Sequence, residues 1–276
     1  MRKEILKKLV IERIDRNGKI VIQEDMTISE ERITFYLNGK QLMSVMSIPK
    51  DQDAHIVGFL MSEAVIESID DISSLRISDD GLAVFVEAKI NEANIQNLFK
   101  EKTLTTGCCV GITGNIDAKI LKEFNRTVHQ YHYSRLFDAI EDFYEQSELF
   151  NQTGCVHKTK LVLEDGSCIE SEDIGRHNSI DKTIGKAKLA KIDIKKSFLI
   201  VSGRLSMEMV VKCVMHKIPL IISKAAPTHL GIKTAQLHGV TLIGFARGGK
   251  MNIYTHSSRI STEQISTYSK DIANAV

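Results

Sequence analysis

The chain has 276 residues, with 36 Lys plus Arg against 35 Asp plus Glu and a formal charge of +1, and its 43% hydrophobic and 26% charged residues exclude a disordered or fibrous protein. The balanced charge argues against a nucleic acid or an anionic membrane surface as partner. No apolar run approaches the roughly 18 residues of a membrane span, and the charged start MRKEILKKLVIERIDR lacks the apolar centre of a signal peptide, so a soluble cytoplasmic protein is expected.

The length predicts two domains. The first hundred residues read as β-rich. Asn38-Gly39 lies between two extended runs, the strongest short hairpin signal because both turn positions need positive φ. Asp51 reads as the N-cap of a helix over about 54–66. A second hairpin is expected around Asp80-Gly81. These elements make a small N-terminal α+β domain over residues 1–102. Residues 103–133 follow as a cysteine-bearing loop and linker; the segment TLTTGCCVGITGNI, with three glycines, has neither a helical nor a strand period.

The third part, 134–276, opens with a helix over about 134–150, with Leu136, Phe137, Ile140 and Phe143 on one face. Two strands, about 156–163 and 168–172, join at Asp165-Gly166. The pattern then alternates: helix from about His177, strand 197–202, helix from about Leu205, strand 218–223, helix from about Thr228, strand 240–245. This is the signature of βαβ units with parallel central strands covered on both faces.

Ligands of parallel α/β sheets bind beyond the carboxyl ends of the strands, where helix N-termini present free N–H groups. Three stretches stand there: Ser202-Gly203-Arg204, Ser223 to Thr228, and Phe245-Ala246-Arg247-Gly248-Gly249-Lys250. Each supplies a cation, which suits phosphates, although loops after strands also carry glycine and lysine for solubility alone. The run EDIGRHNSIDK over 172–182 belongs to the same edge. At helical spacing His177 and Asp181 share a face, as do Asn178 and Lys182, while Ile180 and Ile184 turn to the core. His177 held by Asp181 would make an acid, base or ligand clamp; capping by Asp173 and a solvated helical face is the plainer alternative.

Five cysteines without regular spacing argue against a disulfide framework. Cys108 and Cys109 are adjacent, with Cα atoms about 3.8 Å apart, too close for an unstrained bridge. A reactive thiol there needs a positive or N–H-rich surrounding to lower its pKa. Cys155 and His157 alternate on a strand and supply only two of the roughly four ligands of a structural zinc site, so no metal is expected. Cys168 and Cys213 are expected to be buried.

The run 172–182, Ser202-Gly203-Arg204-Leu205-Ser206-Met207-Glu208, Ala226-Pro227-Thr228 and the stretches Gly244 to Arg247 and Asn252 to Thr255 strongly resemble, in order, the FdhD family of formate dehydrogenase accessory sulfurtransferases. Asn38-Gly39, Pro49, Gly58-Phe59-Leu60 and Glu63 resemble its N-terminal part. The resemblance implies a cytoplasmic sulfurtransferase, acting as a homodimer, that takes persulfide sulfur from a cysteine desulfurase. It passes that sulfur to the molybdenum or tungsten bis-pterin guanine dinucleotide cofactor (bis-MGD), which is bound as substrate before insertion into formate dehydrogenase. It implies Cys108 as the persulfide carrier. It also implies Phe245, Ala246, Arg247, Gly248, Gly249 and Lys250, with Arg176, His177, Arg204 and Thr228, as the cofactor-binding set. The alternative is a non-catalytic cofactor chaperone for the same dehydrogenase.

Two features depart from the family's pattern. Many members carry Cys-x-x-Cys, whereas Gly111 stands three positions after Cys108, and Gly154-Cys155-Val156-His157 replaces a frequent Gly-Gly-Val-His. The family's second domain is similar to cytidine deaminases, an α/β three-layer fold with mostly parallel central strands. A zinc deaminase would need H-x-E and P-C-x-x-C at two helix starts. Here Ser179 follows His177 at the glutamate position and Ser202 to Leu205 contain no cysteine, so the fold is expected without the activity.

Overall fold

The computed structural model describes residues 3–100 and 124–262; the expected loop around Cys108 and Cys109 lies outside them. Strands β1 (Leu6–Ile14) and β2 (Ile20–Ile28) pair only with each other among the described residues, in an antiparallel ribbon. The Asp15 carboxylate closes its turn by accepting from the N–H groups of Asn17 and Lys19. Sequence reasoning missed this ribbon, because charged residues interrupt its aliphatics on both faces.

Strands β3 (Glu31–Leu37) and β4 (Lys40–Ser47) form the hairpin expected at Asn38-Gly39, where φ is 49° and 73°. With β5 (Ile72–Ile77) and β6 (Ala83–Ala88) they make a four-stranded sheet in the order β4-β3-β6-β5, β3 and β6 being parallel. Helix α1 (Gln52–Ser62) covers it, Ile56 and Leu60 packing on Ile33, Phe35, Val84 and Val86. Asp51 does precede this helix, but in a left-handed conformation and without capping; its carboxylate pairs with Lys186 at 2.7 Å. Helix α2 (Glu92–Lys100) follows.

Past the short strand β7 (Tyr131–His132), helices α3 (Tyr133–Glu145) and α4 (Glu148–Thr153) lead into the second sheet. In chain order its elements are β8 (His157–Val162), β9 (Cys168–Asp173), α5 (Arg176–Leu189), β10 (Phe198–Val201), α6 (Met207–His216), β11 (Leu220–Ser223), α7 (His229–His238), β12 (Thr241–Arg247) and β13 (Lys250–Ile253). The strand order is β13-β12-β11-β10-β8-β9, with β10, β11 and β12 parallel. A last strand, β14 (Ile260–Ser261), pairs with β7.

The alternation of side chains across a strand fills both faces of this sheet. Leu199, Val201, Ile221 and Leu242 join residues of α5, α6 and α7 on one side, whereas Phe198, Ile200, Leu220, Ile222 and Ile243 join Leu136, Ile140 and Phe143 of α3 on the other. The result is helix, sheet, helix in three layers. Cys213 is buried as expected, but Cys168 is exposed, because β9 is the outermost strand of the sheet.

Helices α1 and α5 join the two sheets. They cross so closely that a methyl group on Gly58 would stand 1.9 Å from the Asp181 carbonyl oxygen, and one on Gly185 1.8 Å from that of Ala54. No helix among the described residues is long and apolar enough to cross a membrane.

Candidate functional site at the strand ends

Strands β10, β11 and β12 end on one edge, and hydrogen bonds tie the loops there together. Ser223 Oγ donates to the Gly203 carbonyl at 2.7 Å and accepts from the N–H of Ala225. The Leu205 N–H donates to the Ala226 carbonyl, and the Thr228 N–H to that of Leu205. The Phe245 N–H donates to the Ala225 carbonyl, and Gly244 leaves room for Pro227. Because β8 runs antiparallel to β10, His157 reaches the same edge, its Nδ1 3.0 Å from Ser202 Oγ. Burial first, then the charges of Arg176 and His177, lower the pKa of His157. Such an edge is pre-formed, since its backbone groups are already committed.

Onto it open the first residues of α5. Arg176 lays its aliphatic stem beside Gly203, and its Nε is buried without a hydrogen-bond partner. His177 Nε2 lies 2.7 Å from Glu208 Oε2, with only 7% and 8% of the two residues exposed. A carboxylate can only accept, so the proton sits on Nε2. Burial alone would raise the pKa of Glu208, but the His177 hydrogen bond and the charges of His177, Arg176 and Lys212 outweigh it and hold the carboxyl below its ordinary range.

The structure corrects the expected pairing of His177 with Asp181. Asp181 turns away and takes Lys212 Nζ at 2.7 and 2.8 Å and Ser62 Oγ at 2.9 Å. Asn178 and Lys182 do share a face, but it is not solvated, and both meet the carboxylate of Asp173. That carboxylate also accepts from Ser47 Oγ and from the N–H groups of Ile48 and Gly175. Its burial would raise its pKa, yet the Lys182 ammonium and these donors keep it lowered and ionised. Half of the run 172–182 therefore serves the junction with α1 and β4 rather than a ligand.

The stretch 245–250 is a hairpin. Gly248 and Gly249, at φ 59° and 68°, turn β12 into β13, with Arg247 opposite Lys250. Phe245 sits at φ 53° in an irregularity of the β12–β13 pairing and is 37% exposed, with the Arg247 guanidinium 5.9 Å from its ring centre. A positive φ is costly for a bulky residue, and the bond from Phe245 to Ala225 holds it. Ala246 is fully buried in the core, so only its backbone can serve a ligand. Arg204 is exposed. Thr228 spends its hydroxyl on capping α7, accepting from the Gly231 N–H at 3.0 Å. Next to these, Lys224 places its ammonium 4.6 Å from the Tyr144 ring centre.

Arg176, His177, Glu208, His157 and Ser202 thus form one cluster, and Phe245 to Lys250 a second element of the same edge. Glu208 escaped sequence reasoning as a site residue. In the first turn of α6 it reads only as favourable charge at a helix N-terminus, and its partner lies 31 positions away. Among the described residues no three His, Cys, Asp or Glu side chains are grouped to hold a metal ion.

The sequence profile of the FdhD/NarQ family matches residues 28–261. A protein of Wolinella succinogenes named sulfur carrier protein FdhD is 62% identical over 255 residues, covering 92% of this chain and 89% of that protein. A protein of the same name from Sulfurisphaera tokodaii is 34% identical over 253 residues, covering 89% and 95%. A crystal structure of a Desulfotalea psychrophila protein assigned as a formate dehydrogenase accessory protein shares the fold, with a TM-score of 0.78 at 24% identity over 94% of this chain and 100% of that chain.

Proposed function

The chain belongs to the FdhD/NarQ family, and on that premise we propose that it is a sulfurtransferase of the cytoplasm that carries sulfur from a cysteine desulfurase to the bis-MGD cofactor destined for formate dehydrogenase. The Cys108 thiolate attacks the outer sulfur of the donor's persulfide, and the donor's inner sulfur leaves as a thiolate, so one S–S bond replaces another. The cofactor is a substrate here. Its phosphates fall to Arg176, Arg204, Arg247 and Lys250, while Phe245 offers an exposed ring for a base to stack on. The His177–Glu208 pair holds a proton beside the acceptor. The order β9-β8-β10-β11-β12 with its three parallel members supports a cytidine-deaminase-like assignment of the second unit, and the protein works as a homodimer.

The observation that carries the reading is the pre-formed edge, where a buried, unpartnered Arg176 Nε and a histidine–carboxylate pair meet cation-bearing loops. Incubation with a desulfurase and cysteine, followed by mass spectrometry, tests it. A gain of one sulfur on Cys108, absent in Cys108→Ala, is expected, together with loss of dehydrogenase maturation in that variant. Cofactor binding without any sulfur adduct would make the protein a chaperone instead. Sulfur found on Cys109 would move the carrier by one residue.

A further inference from the structure

The β1–β2 ribbon is the least covered part of the described fold. Its base is held where Ile5, Leu6 and Ile28 pack on Ile48, Leu149 and Val156. Beyond that base, Val10, Ile14, Ile20 and Ile22 are 71%, 67%, 58% and 70% exposed. Cross-strand partners such as Ile14 with Ile20 and Glu12 with Ile22, together with the alternation of side chains along a strand, put all four on one face. Leu9 and Val21, also open, lie on the other. A two-stranded ribbon is marginal by itself in water. Free strand edges flanked by apolar side chains are templates for another strand. Both outer edges are free here among the described residues.

We propose that the outer edge of β1 pairs antiparallel with β1 of a second copy of this chain, about a two-fold axis at Val10. This rests on the homodimer reading and gives that dimer its contact surface. Charge complementarity selects both the partner and the edge. With the axis at Val10, Lys8 faces Glu12 of the second copy, and the symmetric repeat makes the same pair again. Leu9 faces Ile11, Leu6 faces Ile14, and Val10 meets its own copy. The only like-charged pair, Lys7 with Arg13, falls on the opposite face, towards the strand ends. Pairing through β2 would instead centre on Gln23-Glu24-Asp25 and bring carboxylates together. Opposite charges across a strand pair stabilise it, and like charges directly opposite destabilise it. The product is a four-stranded sheet, β2-β1-β1-β2, of the self-complementary kind a two-fold axis requires.

Sedimentation velocity on the full chain tests this, with circular dichroism and thermal melting to show that each variant folds. Wild type is expected to be a dimer, and Val10→Lys a monomer that keeps the wild-type circular dichroism spectrum and melts cooperatively, though lower, since the second copy no longer stabilises the folded state. Glu12→Lys should raise the dimer dissociation constant roughly tenfold, since two cross-strand pairs turn repulsive. Lys8 also pairs with Glu24 of its own ribbon at 2.5 Å, so adding Lys8→Glu and Glu24→Lys together should restore dimerisation, because the charges are then exchanged both across the interface and within the ribbon. Under oxidation Val10→Cys should yield a dimer whose crosslink maps by mass spectrometry to position 10 of both copies. If all these variants dimerise like wild type and position 10 does not crosslink, the homodimer stands and the ribbon is not its interface. A monomeric wild type overturns both. If in addition Val10→Lys abolishes dehydrogenase maturation, the ribbon docks on another protein.

Discussion

The strand-end edge and the α1–α5 junction draw on the same stretch of chain, residues 172–182, and use it in opposite ways. At the edge, Arg176 keeps a buried nitrogen unpartnered and His177 shares a proton with one carboxylate. At the junction, the Asp173 carboxylate accepts five hydrogen bonds, from Ser47, Ile48, Gly175, Asn178 and Lys182. Polar groups left with capacity to spare can recognise a ligand. Groups that are fully satisfied fix a geometry. Successive residues of α5 point about 100° apart, so one run divides between the two tasks, and the junction holds still what the edge presents.

The largest effect should therefore come from the junction. Lys182 is fully buried, with its ammonium 2.6 Å from Asp173. Lys182→Met leaves that carboxylate buried with its charge uncompensated and should cost about 3–5 kcal/mol in chemical denaturation. Adding Asp173→Asn should recover part of the loss, because no orphan charge is left. A double variant as unstable as the single one would mean that the pair holds the junction through its shape alone.

Glu63 sharpens the comparison from the same junction. Burial is the main cause that pushes its carboxyl up to about 8, against the opposing charge of Lys212. An acid whose folded pKa lies above its unfolded value binds more protons when folded, so stability falls as pH rises from about 4.5 to about 8. Glu63→Gln removes that dependence. It should be more stable than wild type by a few kcal/mol, in order of magnitude, at pH 8, with the gain fading towards pH 4.5. Parallel Tm curves for the two proteins across this range would show that the carboxyl ionises normally.

How far the sequence could be read follows from the range of the interactions. Continuous apolar runs such as Phe198 to Val201, and the turn at Asn38-Gly39, are local signals, and their elements stand where expected. The Lys212–Asp181 pair, the His177–Glu208 pair and the Gly58–Gly185 crossing each join residues far apart in the chain, and nothing local to either partner announces them. Two glycines inside helices look like simple weak points until the crossing shows that any side chain there would strike a carbonyl oxygen of the opposite helix. The β1–β2 ribbon was hidden for another reason: its strands, LKKLVIERI and IVIQEDMTI, run aliphatic and polar residues in blocks with no period of two, and neither face is covered along its length.

The smallest effect on the fold belongs to Arg247, on the edge side of the comparison. It stands at the exposed end of the β12–β13 hairpin, opposite Lys250, and its guanidinium lies over the Phe245 ring. Nothing in the core depends on it, so Arg247→Ala should leave Tm unchanged. A guanidinium that donates to a diphosphate makes charge-assisted bonds, among the stronger polar contacts. Its loss should weaken guanosine diphosphate binding by about 1.5–3 kcal/mol in calorimetry, the range for hydrogen bonds to charged groups, and should lessen the salt dependence of binding. Arg176→Ala provides the contrast, because its stem packs beside Gly203 and its removal should lower Tm as well. If Arg247→Ala binds guanosine diphosphate as tightly as wild type while Arg176→Ala does not, the phosphates sit over the α5 N-terminus and the proposed role of the hairpin in holding them is wrong.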